Sequence, residues 1–308
     1  MPCVCEPSGE LGIALSGGGA RALAQVGVLK VLEREGVPLS YVSGTSAGAV
    51  IGAVYVTSAN AREAEARLLE HLKSTGPGFN VDTFTTLAAS GSGRAGRLLT
   101  LGRGFLRAVR HGHGLIGGEA MRASLRTLLG NGTFADTRRR FATTALDLVS
   151  GRRMIFADGD LVQAVYASSA IPGLFEPLEL NGCLLVDGGW AEPVPVNTCH
   201  HLGAIHVVAV EVPNRLDWVV RRAAVPVALR ADALARDLLE ESQLAEADFV
   251  LRPEVSVRHF ADFSDPEGLI DAGARAAEGS LTAIRAVLDG HRSLFVRVTG
   301  TSGSTSGA

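Results

Sequence analysis

A chain of 308 residues with 46% apolar side chains can bury a large core, which excludes disorder as its main state. Its 29 basic and 32 acidic residues leave a net charge of −3, so no global field draws it to nucleic acid. The four cysteines, Cys3, Cys5, Cys183 and Cys199, form no paired framework and fit a reducing compartment; no second ligand pair completes Cys3 and Cys5, so neither a metal nor a cofactor is expected.

The opening "MPCVCEPSGE" has no basic stretch followed by an apolar one, and is expected to be an N-terminal extension (1–10) without a signal peptide. "LGIAL" (11–15) reads as a short buried strand. From Ala20 to Glu35, Leu23, Val26, Gly27, Leu29, Val31 and Leu32 recur at helical spacing, and Gly36 and Pro38 end the run. "LSYVS" (39–43) reads as a second strand, 46–57 as a buried helix and 61–73 as an amphipathic one. The ten-residue run "AGAVIGAVYV" is half of the roughly twenty needed to span a bilayer, so a soluble, cytoplasmic protein is expected. Residues 74–118 are rich in Gly, Ser and Thr and break the rhythm, as an insertion or cap would. Residues 139–148 and 152–159 read as a hairpin, "CLLVDGG" (183–189) as a strand ending in a turn, and 204–212 as a buried strand. An edge strand at 247–253, a long helix at 267–288 and a mobile tail at 299–308 complete the pass. Strand alternating with helix implies a mainly parallel sheet in an α/β fold, one domain over 11–298.

Two glycine-dense turns stand out. Gly17-Gly18-Gly19-Ala20-Arg21-Ala22 fits a dinucleotide fingerprint ending in alanine. That fingerprint also wants an acid at the end of the second strand, where Val42-Ser43 runs into Gly44 instead. Gly44-Thr45-Ser46-Ala47-Gly48 matches G-x-S-x-G, in which a serine sits on a sharp strand-to-helix turn. Ser46 is then a nucleophile or, more blandly, a helix N-cap. The two turns support each other, because acyl transfer needs a nucleophile and also amides aimed at the oxyanion, which Gly17, Gly18 and Gly19 would supply. Arg21 either steadies that loop, faces substrate or is an ordinary surface arginine.

A base is harder to find among the eight histidines, since none stands in a marked loop after a strand. Asp187, between "CLLV" and Gly188-Gly189, sits where the C-terminal ends of parallel strands gather α/β active sites. Asp158, in an Asp-Gly turn, and Asp147, ending "FATTALD", compete with it.

These residues resemble the bacterial patatin-like phospholipase family. The likeness rests on Gly17-Gly18-Gly19-Ala20-Arg21, on Gly44-Thr45-Ser46-Ala47-Gly48 and on Asp187-Gly188-Gly189, in that order. The stretches "TALDLVSG", "YASSAIPGLFEPLELNG" and "GWAEPVPV" extend it over roughly residues 10–290. The family's first motif usually ends in glycine, where this chain has Ala22. The resemblance implies a three-layer α/β/α fold and a Ser–Asp dyad without histidine. Carried over, Ser46 is the nucleophile, Asp187 the base and Gly17 to Gly19 the oxyanion hole, acting on a lipid or other acyl ester. A non-catalytic binding protein that keeps the fold, or a nucleotide-binding protein, are the rival readings.

Two segments bear on substrate. Between Arg94 and His113, Leu98, Leu101, Phe105 and Val109 oppose Arg103, Arg107 and Arg110. That pattern suits peripheral contact with an anionic membrane surface, or a cap helix with a solvated basic face. In "SSAIPGLFEP" (168–177), Ala170, Ile171, Leu174 and Phe175 either line an acyl pocket or pack the core.

Overall fold

A computed structural model describes residues 11–74, 117–212, 224–255 and 261–288. The basic segment 94–113, the N-terminal extension and the tail lie outside the described residues, as do His111, His113, His259 and His291.

The chain begins with strand β1 (Leu11–Leu15), whose five side chains are all buried. A 3-10 turn (Gly19–Leu23) leads into helix α1 (Ala24–Arg34). Strand β2 (Leu39–Gly44) follows, then α2 (Ala47–Thr57) and α3 (Ala61–Ser74). After α4 (Gly118–Leu129) come the hairpin strands β3 (Arg140–Asp147) and β4 (Arg153–Phe156), as their sequence implied. Helix α5 (Leu161–Ser169), β5 (Leu178–Leu180), β6 (Cys183–Asp187) and α6 (Val196–His201) lead to β7 (His206–Val210). Helix α7 (Ala224–Leu244), β8 (Phe249–Leu251) and α8 (Pro266–Leu288) close the order.

The strands form one mixed sheet in the order β5-β6-β3-β2-β1-β7-β8, with β4 also on β3. From β3 through β8 the pairs are parallel, while β4, β5 and β6 pair antiparallel. Alternation along the strands sorts two cores. Leu11, Ile13, Leu15, Val208 and Val210 pack with α1, α2, α5 and α8 on one face. Ala14, Val207 and Ala209 pack with Val196, Cys199 and Leu244 on the other. The result is a three-layer α/β/α fold. Helices α1 and α8 approach closely because each carries glycine at the crossing. A Cβ on Gly27 would lie 1.8 Å from the Ile270 carbonyl oxygen, and one on Gly273 1.7 Å from that of Ala24.

The expectation that Asp187 ends a parallel strand is corrected. Strand β6 runs antiparallel to β3, yet Asp187 still reaches the level of Ser46. The reason is the length of β3. Its first half pairs with β2, setting Gly44 beside Thr143, and the strand then overshoots to Asp147. Strand β6 starts beyond that end and returns, so Asp187 lands opposite Ala145, two residues past Thr143.

Candidate active site

Ser46 occupies the turn between β2 and α2, at φ 56° and ψ −125°, a left-handed conformation that side chains other than glycine rarely adopt. The glycines two residues either side permit that turn. A Cβ on Gly44 would meet the Gly48 carbonyl oxygen at 2.5 Å, and one on Gly48 would meet those of Leu15 and Ser16 at 2.3 and 2.5 Å. Backbone cannot swing aside as a flexible side chain can. Gly48→Ala is therefore expected to cost about 1–3 kcal/mol, the range of overpacked cores. A lowered urea midpoint in the purified variant checks this.

Ser46 stands at the N-cap position of α2, but its hydroxyl makes no capping bond. Its hydroxyl instead acts on the Asp187 carboxyl, pulling it down against the effect of burial. The reading of this side chain as a helix cap therefore does not hold. The backbone of Ser46 is clamped from α5. Its N–H donates to Ser168 Oγ at 3.0 Å, and Ser169 Oγ donates to its carbonyl oxygen at 3.2 Å. Neither serine was assigned a role from sequence, although both stand in the 168–177 stretch read as bearing on substrate. Beyond them, Ala170 and Phe175 are buried in the main core, so the packing reading holds for that pair.

Asp187 is 2% exposed. Burial pushes its carboxyl up to about 6, against the opposing pull of the Ser46 hydroxyl, the Gly189 amide and the charge of Arg236. The Gly189 N–H donates to Oδ1 at 2.7 Å, and the Asp187 N–H to the Ala170 carbonyl at 2.9 Å. Gly188 lies so close to β3 that a Cβ there would sit 2.4 Å from the Thr144 carbonyl oxygen.

The competing acids have other employment. Asp147 accepts from the amides of Val149, Ser150 and Leu184 and from the Ser150 hydroxyl, and those bonds, the hydroxyl's first, hold it down to about 2. It organises a turn. Asp158 is exposed, in a turn closed by Gly159 at φ 80°. Among the described histidines, His71 bonds Ser124, His200 the Ala204 carbonyl and His206 Asp248, and His201 is exposed.

The triple-glycine turn comes beside Ser46 because β1 and β2 are parallel neighbours. A Cβ on Gly17 would stand 3.3 Å from Ser46 Cβ. The Gly17 N–H donates to the Pro193 carbonyl at 3.2 Å, so that amide is engaged within the protein. Of the three donors expected from sequence, Gly18 and Gly19 remain as candidates. Gly18 is the N-cap and Gly19 the first residue of the 3-10 turn, where N–H groups have no intrahelical acceptor. Their φ values of 155° and 60° aim the amides as only glycine readily permits.

Arg21 is not a surface arginine: it is 2% exposed, and its Nε donates to the Gly18 carbonyl at 3.3 Å. That contact fits the loop-steadying reading. Thr45 ties the two motifs together, donating to the Glu192 carbonyl at 2.7 Å and meeting Thr144 Oγ1 at 2.9 Å. Glu192, wholly buried, is paired with Arg153 at 2.8 Å and accepts from the Thr198 amide and hydroxyl.

The sequence profile of the patatin-like phospholipase family matches residues 13–200, more than half of the chain. The chain belongs to the patatin-like phospholipase family. It is 28% identical over 299 residues to an uncharacterised NTE family protein of Mycobacterium tuberculosis, covering 89% of this chain and 47% of that protein. It is 26% identical over 213 residues to the neuropathy target esterase of Drosophila melanogaster, covering 68% of this chain and 13% of that one. A lysophospholipase of Yarrowia lipolytica is 28% identical over 202 residues, covering 66% and 12%. The chain thus spans about half the length of the first of these relatives and a smaller share of the other two. Among solved structures, human GIVD cytosolic phospholipase A2 aligns over 92% of this chain and 60% of its own, with a TM-score of 0.48 and 11% identity. VipD from Legionella pneumophila aligns over 91% and 66%, with a TM-score of 0.47 and 15% identity. Among the described residues, no helix is long and apolar enough to cross a membrane, and no cluster of three metal-ligating side chains occurs.

Proposed function

We propose that this patatin-like protein is a serine acyl hydrolase that cleaves carboxylic esters of phospholipids or lysophospholipids. The observation that carries the reading is the placement of the Ser46 hydroxyl, on a strained glycine-flanked turn, where it acts on the buried Asp187 carboxyl. A relative named as an esterase and another named as a lysophospholipase support the substrate class.

In this reading Asp187 takes the Ser46 proton as Oγ bonds to the ester carbonyl carbon. Negative charge moves to the carbonyl oxygen, where the Gly18 and Gly19 amides receive it; one such donor is typically worth about 100- to 1000-fold in rate. The carbon–oxygen bond to the alcohol breaks, and the proton passes from Asp187 to the leaving oxygen. A water then gives its proton to Asp187 and attacks the acyl-enzyme, and Ser46 departs with that proton. A free carboxylate, at about 3.9, is a weak base toward a hydroxyl. Burial to about 6 brings Asp187 nearer to neutrality, where a general base works best.

A fluorophosphonate probe tests the assignment. Labelling confined to Ser46 is expected, and its rate should fall on acidification with a midpoint near 6, as Asp187 gains a proton. Labelling elsewhere, or a rate flat from pH 5 to pH 8 (about two units around that midpoint), would contradict it.

A further inference from the structure

Helix α7 is built the wrong way round for a surface helix. Val227, Leu234 and Leu238 are exposed, at 49%, 44% and 67%. Asp232, Arg236, Glu240 and Gln243, spaced by four, four and three, share the opposite stripe. Polar groups turned inward are costly unless they are engaged, so this stripe calls for a reason.

Three of its members, Asp232, Arg236 and Gln243, engage the site or a neighbour of it. Gln243 donates to the Ala191 carbonyl at 3.1 Å and accepts from the Val194 amide at 3.3 Å, pinning the chain just past Asp187. Asp232 Oδ1 accepts from Trp190 Nε1 at 3.0 Å, and its Oδ2 holds Arg236 Nε at 3.2 Å. The Arg236 guanidinium lies 4.6 Å over the Trp190 ring. Trp190 closes the short helical turn that Asp187 caps. Two contacts thus fix Arg236 in one place, with its charge acting on Asp187.

We infer that Arg236 is a positioning residue for the proposed base: clamped by Asp232 and Trp190, it holds a positive charge beside the Asp187 turn and so favours the ionised carboxylate that deprotonates Ser46. The inference rests on the dyad reading above. Among the described residues, Asp187 meets the Gly189 amide of its own turn and the Ser46 hydroxyl at the head of α2, and α7 offers Arg236, with Asp232 and Glu240 about it. Glu192, further along the loop, is matched by Arg153. Glu240 is pushed up to about 7 by burial, then by Glu211 and Asp237, so below neutral pH it largely loses its charge and Asp232 remains as the anion paired with Arg236.

The test reads the pH dependence of fluorophosphonate labelling of Ser46 in the full 308-residue chain, with melting curves for every variant. In Arg236→Met and Arg236→Gln the acid midpoint should rise by roughly 0.5–1 pH unit. Arg236→Lys, which keeps the charge, should restore it. Asp232→Asn leaves Arg236 charged but unclamped, and its midpoint should rise part of the way; this variant serves if the truncated arginines do not fold. A midpoint that follows the charge, and not the size, of the side chain at 236 is a signature that mere packing does not give. A midpoint unmoved in Arg236→Met and Arg236→Gln, an unrestored one in Arg236→Lys, or one unmoved or lowered in Asp232→Asn overturns the inference while leaving the dyad intact. Failure of the unaltered chain to label at Ser46 removes the dyad reading and the inference with it.

Discussion

Replacing Ser46 with alanine is expected to reduce ester hydrolysis to the level of background, a loss of about 10⁶-fold if it matches a serine hydrolase from which the nucleophile alone is removed. The fold should survive. The hydroxyl caps nothing, and the clamps from Ser168 and Ser169 reach the backbone, which alanine keeps. Alanine also keeps the Cβ that makes φ 56° unfavourable. Ser46→Gly should therefore be equally inactive yet more stable than Ser46→Ala by about 1 kcal/mol, because glycine adopts such angles without steric cost. Hydrolysis of a p-nitrophenyl ester and paired melting curves read both effects. Residual turnover in purified Ser46→Ala within about tenfold of the parent, where removal of a nucleophile costs far more, would place the nucleophile elsewhere. Equal stability of the two variants would mean that the turn stores no strain at this residue.

Much of this site could be read before any coordinates, because it is built from local rules. A strand, two glycines and a serine before an apolar helix specify an elbow, and both glycines prove sterically required. Asp187 was singled out through its turn, Asp187-Gly188-Gly189, but as the end of a parallel strand, whereas β6 is antiparallel. Strand direction is set by pairing across 40 residues, and no local pattern encodes it. The same limit hid the employment of the Gly17 amide, which depends on Pro193, and left Arg21, which proves buried, open between a loop, a substrate and a surface role. Helix α7 escaped notice for a different reason. Its inward face mixes Asp232, Arg236 and Gln243 with buried Ala233 and Leu244, while Val227, Leu234 and Leu238 face out, so the usual periodicity rule does not orient it. Ser168 and Ser169 carry ordinary side chains at a helix end, and only the packing of α5 against α2 brings them onto the Ser46 backbone.

Replacing Asp187 with asparagine should remove activity and, at neutral pH, raise stability. The folded carboxyl sits at about 6, above its usual 3.8. The folded state therefore binds this proton more tightly than the unfolded chain does. The stability it contributes is fully present below about pH 4 and is lost as pH rises through 6. Above that, keeping a charge in a nearly sealed site costs about 3 kcal/mol. Asparagine carries no charge, still offers Oδ1 to the Gly189 amide and can donate to Ser46 Oγ. Allowing about 1 kcal/mol for weaker hydrogen bonds, the variant should gain about 1–2 kcal/mol at pH 7.5, a few degrees in Tm. The gain should shrink as pH falls toward 4, where the parent carboxyl is itself neutral. Meanwhile kcat/KM should drop by at least about 10⁴-fold, because the base is gone. A variant destabilised equally at pH 4.5 and 7.5 (either side of that titration) would show that Asp187 is not desolvated in the folded protein. In that case the physical basis for its service as a base toward Ser46 would be lost, since an ordinary solvated carboxylate holds a proton too weakly for the task.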